Sequence, residues 1–206
     1  AAAVTVAPNH QTANALLVGS RLLSLPYRQA TQDFLDRLGV ARTNRDIYAW
    51  TAKLPTDKDG EVVPPNDFSA AEIVAFVRTN ILPEVGAALV NASKVTDRNF
   101  VLALSSNETA VGEVTVDYGD VQMIRACLHA AEMLGLTLSA LNLDVQLNAL
   151  YTLHSRGELT IERILADYPV LLMFSEPGDF VSGRIAFQAA VGPQPASSEF
   201  LRRRPA

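Results

Sequence analysis

From Asp117 to Gly135 the apolar residues fall on two adjoining stripes of one helix: Val121, Ile124, Leu128 and Ala131 on the first, Met123, Cys127, Ala130 and Leu134 on the second. A face that wide is more than one neighbour covers, so the chain must supply several further helices around it. The remaining sequence does so. Thr12 to Leu25 carries Ala15, Leu16, Leu22, Leu23 and Leu25 at helical spacing and stops at Pro26. Tyr27 to Leu38 follows, with Phe34, Leu35 and Leu38 on one side and Gly39 placed as a C-terminal cap. The two read as a helical hairpin joined at a proline.

Asn44 to Ala52 is expected to form a short helix bearing Tyr48 and Trp50. Ser69 and Glu72 have capping-box spacing and open a helix through Ile73, Val74, Phe76, Val77 and Ile81, which Pro83 breaks or kinks before it resumes to Val90. Further helices are expected over Leu143–Ser155 with Leu143, Leu147 and Leu150 inward, from a cap at Thr160 to Tyr168, over Ser175–Ala190 and over Ser197–Arg204. One segment breaks the pattern: Phe100, Leu102 and Leu104 alternate, as do Val114 and Val116, across a loop with Ser105, Asn107 and Gly112. The expected fold is therefore mainly α, a multi-helix bundle with a repeat-like N-terminal hairpin and one small β-hairpin near residues 100–116. Residues 1–206 read as a single helical domain or a fragment of a larger protein. The loop Leu54–Asn66, with Pro55, Pro64, Pro65 and an Asp59-Gly60 turn, is the best internal boundary, dividing 1–54 from 67–206.

Hydrophobic residues make up 49% of the chain and charged ones 19%, a balance that excludes disorder and needs no cofactor to stabilise a core. A formal charge of -5 leaves no broad basic face for phosphates, which argues against nucleic acid as a partner; Arg202-Arg203-Arg204 complements a helix dipole. The longest uninterrupted apolar run, Val170 to Phe174, is far short of the ~20 residues that cross a bilayer, so no transmembrane segment is expected. Cys127, the one cysteine, reads as a small buried hydrophobe. The opening Ala1-Ala2-Ala3-Val4 lacks an initiator methionine, as expected of a processed or excised chain.

Residues 8–25, PNHQTANALLVGSRLLSL, resemble the junction between two tetratricopeptide-type helical repeats. The pattern W-x-x-L-G-x-x-Y lies over Ala15, Val18, Gly19 and Leu22, with aliphatic residues where that family carries aromatics, and its ~34-residue period does not recur. The resemblance implies a degenerate repeat-like hairpin and an interaction role. RDIYAWTAKLP and VTVDYGDVQMIRA resemble segments of large uncharacterised bacterial secreted or surface proteins, which implies a secreted or surface location.

Candidate sites are few. Asp57, Asp59 and Glu61 have the opening of a calcium loop, but Gly60 comes fourth instead of sixth and position twelve holds no carboxylate, so a solvated turn competes with calcium. Gln122, Arg125, His129 and Glu132 share one polar stripe; Asp144, Asn148, Tyr151 and Ser155 share another. Were the stripes opposed, they would line a polar cleft, although a helix needs a polar side for solubility alone. Asp117 and Asp120 suit capping of the following helix better than catalysis. Tyr48 and Trp50 point to different sides of a helix, yet an exposed Trp50 beside the proline-rich loop can stack on a sugar. His10, His129 and His154 lack zinc-ligand spacing, and nucleophile-elbow, Walker and dinucleotide motifs are missing from the sequence.

Three readings follow. The first is a non-enzymatic interaction or structural module of a larger bacterial protein, packed against neighbouring domains or an unidentified protein partner. The second is a carbohydrate or small-ligand binder using Trp50, Tyr48, Arg125, His129, Glu132 and Asp144. The third is a hydrolase with a carboxylate pair among Asp117, Asp120, Glu132 and Asp144.

Overall fold

A computed structural model describes residues 7–47, 49–107, 109 and 112–192. The helix expected over Ser197–Arg204 lies outside them, as does Tyr48. The fold is mainly α with one two-stranded antiparallel hairpin. In chain order the elements are α1 (Gln11–Ser24), a 3-10 turn (Leu25–Tyr27), α2 (Gln29–Arg37), α3 (Ala70–Phe76), a π-helical turn (Val77–Ile81), α4 (Leu82–Ala92), β1 (Val101–Leu104), β2 (Val114–Asp117), α5 (Tyr118–Ala140), α6 (Leu147–Ser155), α7 (Ile161–Asp167) and α8 (Pro177–Val191).

The chain divides into two compact units. The first takes Ala1–Ser24, Leu82–Leu134 and Ser182–Ala206; the second takes Leu25–Ile81 and Gly135–Val181. The proline-rich loop at 54–66 lies wholly inside the second unit.

In the first unit α1 packs on α4. Val18 from one and Val85, Ala88, Leu89 and Ala92 from the other are buried, the two alanines lying one turn apart on α4. Beneath that apolar contact lies a buried polar chain. Asn91 Nδ2 donates to Asn14 Oδ1 at 2.8 Å, Asn14 Nδ2 donates to the carbonyls of Pro8 (2.9 Å) and His10 (3.0 Å), and Arg21 Nε donates to Asn91 Oδ1 at 3.2 Å. Arg21 also pairs with Glu84 at 2.8 Å. The hairpin pairs Val101 with Asp117 and Leu104 with Val114. Phe100 is buried at its base, and its carbonyl accepts from Tyr118 N at 3.2 Å, carrying the chain directly into α5. Asp117 Oδ1 accepts from Asp120 N at 3.0 Å and Asp120 Oδ2 from Asp117 N at 2.9 Å, a reciprocal cap at the helix start. Cys127, expected inside, is exposed: the apolar face of α5 is wider than what covers it, and Met123 and Leu134 of the same stripe are also exposed.

In the second unit Phe68 is fully buried, with Phe34 at 5.9 Å between ring centroids. Phe34 in turn stacks on Phe76 at 4.1 Å and 7°. Gly39 ends α2 with φ 74, its N–H bonding Asp36 O and Val40 N–H bonding Leu35 O, the left-handed stop expected there. The helix expected over Asn44–Ala52 does not form. Asn44 takes φ 66 and its carbonyl accepts from both Thr51 N and Ala52 N at 3.0 Å, which closes a loop instead of propagating a helix. Arg45, 6% exposed, holds that loop by donating to Ala41 O, Gln32 Oε1 and Asp36 Oδ1. Ser69 and Glu72 form the capping box of α3, with Ser69 N donating to Glu72 Oε1 at 3.1 Å.

Pro83 does not break the helix that contains it. It has no N–H for the carbonyl four residues back, and the turn ahead of it widens to π geometry instead. Thr79 Oγ1 and Asn80 Nδ2 donate to the Ala75 and Phe76 carbonyls within that turn. By length and composition Ala70–Ala92, with a mean hydropathy of 1.5, is the one helical stretch among the described residues that could cross a bilayer. Its charged residues are all ion-paired: Glu72 with Arg37, Arg78 with Asp179 and Glu84 with Arg21. The helix expected from Leu143 begins instead at Leu147. Residues before it are drawn into extended pairing, with a Ser69–Gln146 bridge and Ala70 N donating to Val145 O at 2.9 Å.

Candidate binding cleft

The second unit contains a cleft of about 320 Å³, within the size range of small-molecule sites. Its polar lining is Arg78, Ser139, Asn142, Asp144, Ser175 and Glu176. Ala71, Val74 and Ala75 from α3 and Leu141 and Leu143 from the segment after α5 supply the apolar wall. These segments are held by main-chain bonds. Asn142 N donates to Met173 O and Leu172 N to Asn142 O, both at 2.8 Å, Ser175 N donates to Ala140 O at 2.9 Å, and Leu141 bridges Phe174. A wall fixed in this way needs little ordering when a ligand arrives.

Arg78 stands in the π-helical turn and pairs with Asp179 at 3.3 Å. Such turns recur at functional positions because the extra residue re-aims the side chains that follow it. Ser139 is 3% exposed, and its Oγ has no hydrogen-bond partner among the described residues. A serine inside a helix ordinarily returns its hydroxyl to the preceding turn, so an unused one is uncommon.

Of the residues singled out in the sequence, only Asp144 lines this cleft, and Trp50 does not. Trp50 is 43% exposed in the loop after Asn44. Arg125, His129 and Glu132 belong to the first unit, where Arg125 Nη1 donates to Gln122 Oε1 at 2.8 Å and His129 Nδ1 lies 3.2 Å from Glu132 Oε2. The stripe therefore resolves into two pairs one turn apart. Two members of the other stripe, in the second unit, fasten the proline-rich loop: Asn148 Nδ2 donates to Pro64 O at 3.1 Å and Tyr151 hydroxyl to Asp57 Oδ2 at 2.6 Å, while Ser155 Oγ donates to Thr152 O within its own helix; His154, outside the stripe, has Nε2 3.3 Å from Glu61. Asp57 Oδ1 accepts from Asp59 N and Glu61 N, so both oxygens of the first calcium candidate are engaged within the protein. Among the described residues no group of three or more His, Cys, Asp or Glu converges as a metal site. Arg78, Ser139, Asn142, Ser175 and Glu176 were missed because each is an ordinary residue and they come from three segments far apart in sequence; Pro83 inside an apolar helix was the one signal near them.

The Tyr151–Asp57 bond shifts both groups. It holds the Asp57 carboxyl below its ordinary value, helped by the Glu61 and Asp59 amides, and together with desolvation it pushes Tyr151 up to about 12. The Tyr151 contribution to stability is thus complete below pH 10 and disappears as pH rises through about 12, whereas that of Asp57 is complete above 3.8 and disappears as pH falls below it. Of the chain's five tyrosines, one should ionise near pH 12 in an ultraviolet phenolate titration, and Asp57→Asn should return it toward 10. An unchanged titration in Asp57→Asn would exclude the bond.

The fold and cleft define a mainly α-helical module with a small recess whose polar lining includes the two carboxylates Asp144 and Glu176. Comparison with protein-family profiles, with curated proteins and with solved structures finds no match to this chain.

Proposed function

We propose that this chain is a non-enzymatic helical interaction module of a larger bacterial protein, seated at the cell surface or secreted, and bound through protein contacts with neither nucleic acid nor a bilayer-crossing helix. The observation that carries this reading is the number of large apolar residues left exposed in each unit toward the end of the described chain. In the second unit Ile161, Leu172, Met173, Phe174, Phe180 and Val181 are each between 46% and 72% exposed. Within the first unit α8 buries only its small residues, Gly183, Ala186 and Ala190, while Ile185 and Phe187 are exposed. Large apolar groups left outside at this density are the usual mark of a surface that another polypeptide covers.

Backbone conformation adds to the argument. Leu172 holds φ 65, a left-handed conformation costly for a branched side chain, and its amide is anchored to Asn142 O at 2.8 Å. The strained residue leaves its own side chain 58% exposed, which brings no folding benefit and fits an interface contact. Phe174 and Phe180 meet edge to face at 5.3 Å and 65°, a preset aromatic pair. The resemblance of residues 8–25 to a tetratricopeptide-type repeat junction suits the same role.

The test is a double variant, Phe174→Asp with Phe180→Asp. Both rings are exposed, so stability should change by no more than about 0.5 kcal/mol per substitution. Co-elution of the natural complex from cell extracts should weaken by roughly thirty-fold or more, the cost of losing an aromatic anchor of about 2 kcal/mol. A complex that elutes unchanged with the variant would remove the reading.

A further inference from the structure

The cleft in the second unit carries an unbalanced charge and an unused hydroxyl, neither of which the interaction reading employs. Arg78 is neutralised by Asp179 at 3.3 Å. Asp144 and Glu176, by contrast, line the recess with no cationic partner among the described residues. At neutral pH the lining therefore has two uncompensated carboxylates beside an apolar wall, which favours a positive guest and repels an anion. No third carboxylate, histidine or cysteine converges with these two among the described residues, and a wall of alanine, valine and leucine offers nothing to a hydrated metal ion. An ammonium group needs only a few acceptors and leaves room for carbon.

Ser139 supplies the second, independent observation. Its residue is 3% exposed, it lines the recess, and its Oγ is buried without a partner. Leaving a buried hydroxyl unsatisfied costs on the order of 1–3 kcal/mol, a cost that a polar ligand atom at the floor would relieve. The wall formed by Ala71, Val74 and Ala75 suits a short hydrocarbon body.

We propose that this cleft binds a small organic cation: a primary ammonium held by Asp144 and Glu176, a short aliphatic body on the α3 wall, and a hydroxyl that bonds Ser139. The proposal is independent of the protein-contact reading and stands or falls separately from it. No bond is made or broken; the site recognises and holds its ligand.

The test uses the whole chain, labelled with 15N, titrated with 4-amino-1-butanol and followed by amide shifts. Saturable shifts are expected at Ser139, Asn142, Asp144 and Glu176, with a Kd on the order of 1 mM for so small a probe. Butylamine should bind about fivefold more weakly for want of the hydroxyl, and 1-butanol and butyrate at least about tenfold more weakly. The double variant Asp144→Asn with Glu176→Gln, both exposed positions, should keep a dispersed native spectrum and lose about tenfold in affinity. Ser139→Ala should erase the difference between 4-amino-1-butanol and butylamine. Non-saturating shifts, equal binding of 1-butanol, or shifts centred away from these four residues would each overturn the proposal.

Discussion

Phe68→Ala should cost about 3–5 kcal/mol, the range for truncating a fully buried aromatic ring. That is a large part of the roughly 5–15 kcal/mol that holds an ordinary domain together. The expectation rests on position. Phe68 is 0% exposed, its ring meets Phe34 at 5.9 Å, and the Arg37 guanidinium carbon lies 5.7 Å from its centroid. Its carbonyl also accepts from Leu147 N at 3.0 Å, so the residue ties the start of α3 to α2 through its ring and to the start of α6 through its main chain. Removing the ring leaves a void that Phe34, already stacked on Phe76 at 4.1 Å, cannot fill without giving up that stack. Urea unfolding followed by far-ultraviolet circular dichroism measures the loss, with exposed Phe180→Ala as the comparison expected within about 0.5 kcal/mol of the parent. A loss below about 1 kcal/mol for Phe68→Ala would contradict the packing described for the second unit.

The first unit has a different weak point. Asn91→Ala is expected to cost about 2–4 kcal/mol, since it removes a buried hydrogen bond and leaves Asn14 Oδ1 without its donor. Asn14 is 1% exposed and Asn91 8%, so water cannot replace the lost partner. Arg21 Nε loses its acceptor in the same step, although its ion pair with Glu84 at 2.8 Å remains. In a double-mutant cycle Asn14→Ala and Asn91→Ala should couple by about 0.5–3 kcal/mol. Additive losses would mean that the 2.8 Å bond between them contributes nothing.

How much of this was legible beforehand depends on how local each cause is. The central helix, expected over Asp117–Gly135 and found over Tyr118–Ala140, the caps at Thr160 and Gly39, the Ser69–Glu72 box and the hairpin were readable, because periodicity and capping act within a few residues. Thr160 Oγ1, for instance, accepts from Arg163 N at 3.1 Å as its place in the sequence suggests. Misses occurred where distant partners overrode local preference. Nothing near Asn44 announces that its carbonyl will take two amides seven and eight residues on, nor near Leu143 that the chain there will pair with Ser69–Ala70. Cys127 carried the right residue type for a core and the wrong neighbours for one.

The site was less legible than the fold. Asp144 was singled out from a stripe of which two other members, Asn148 and Tyr151, bond a loop 84 and 94 residues away in sequence. Ser139 and Glu176 have no periodic or motif signature, and they line one recess only because strand-like bonds between 140–142 and 172–175 hold the segments together. Exposure of the apolar groups between Ile161 and Val181 was likewise hidden, since a sequence pattern shows which residues are apolar and not which are covered.

The central claim is that this apolar surface is covered by another polypeptide in the working protein. Site-specific photo-crosslinking tests it most directly, with a benzophenone side chain placed in turn at Met173, at Phe180 and at exposed Glu158 as a control, in cells making the parent protein at its natural level. The account predicts adducts from positions 173 and 180 to one and the same polypeptide, with position 158 silent. Silence at both test positions, or adducts no more specific than those from 158, would contradict it.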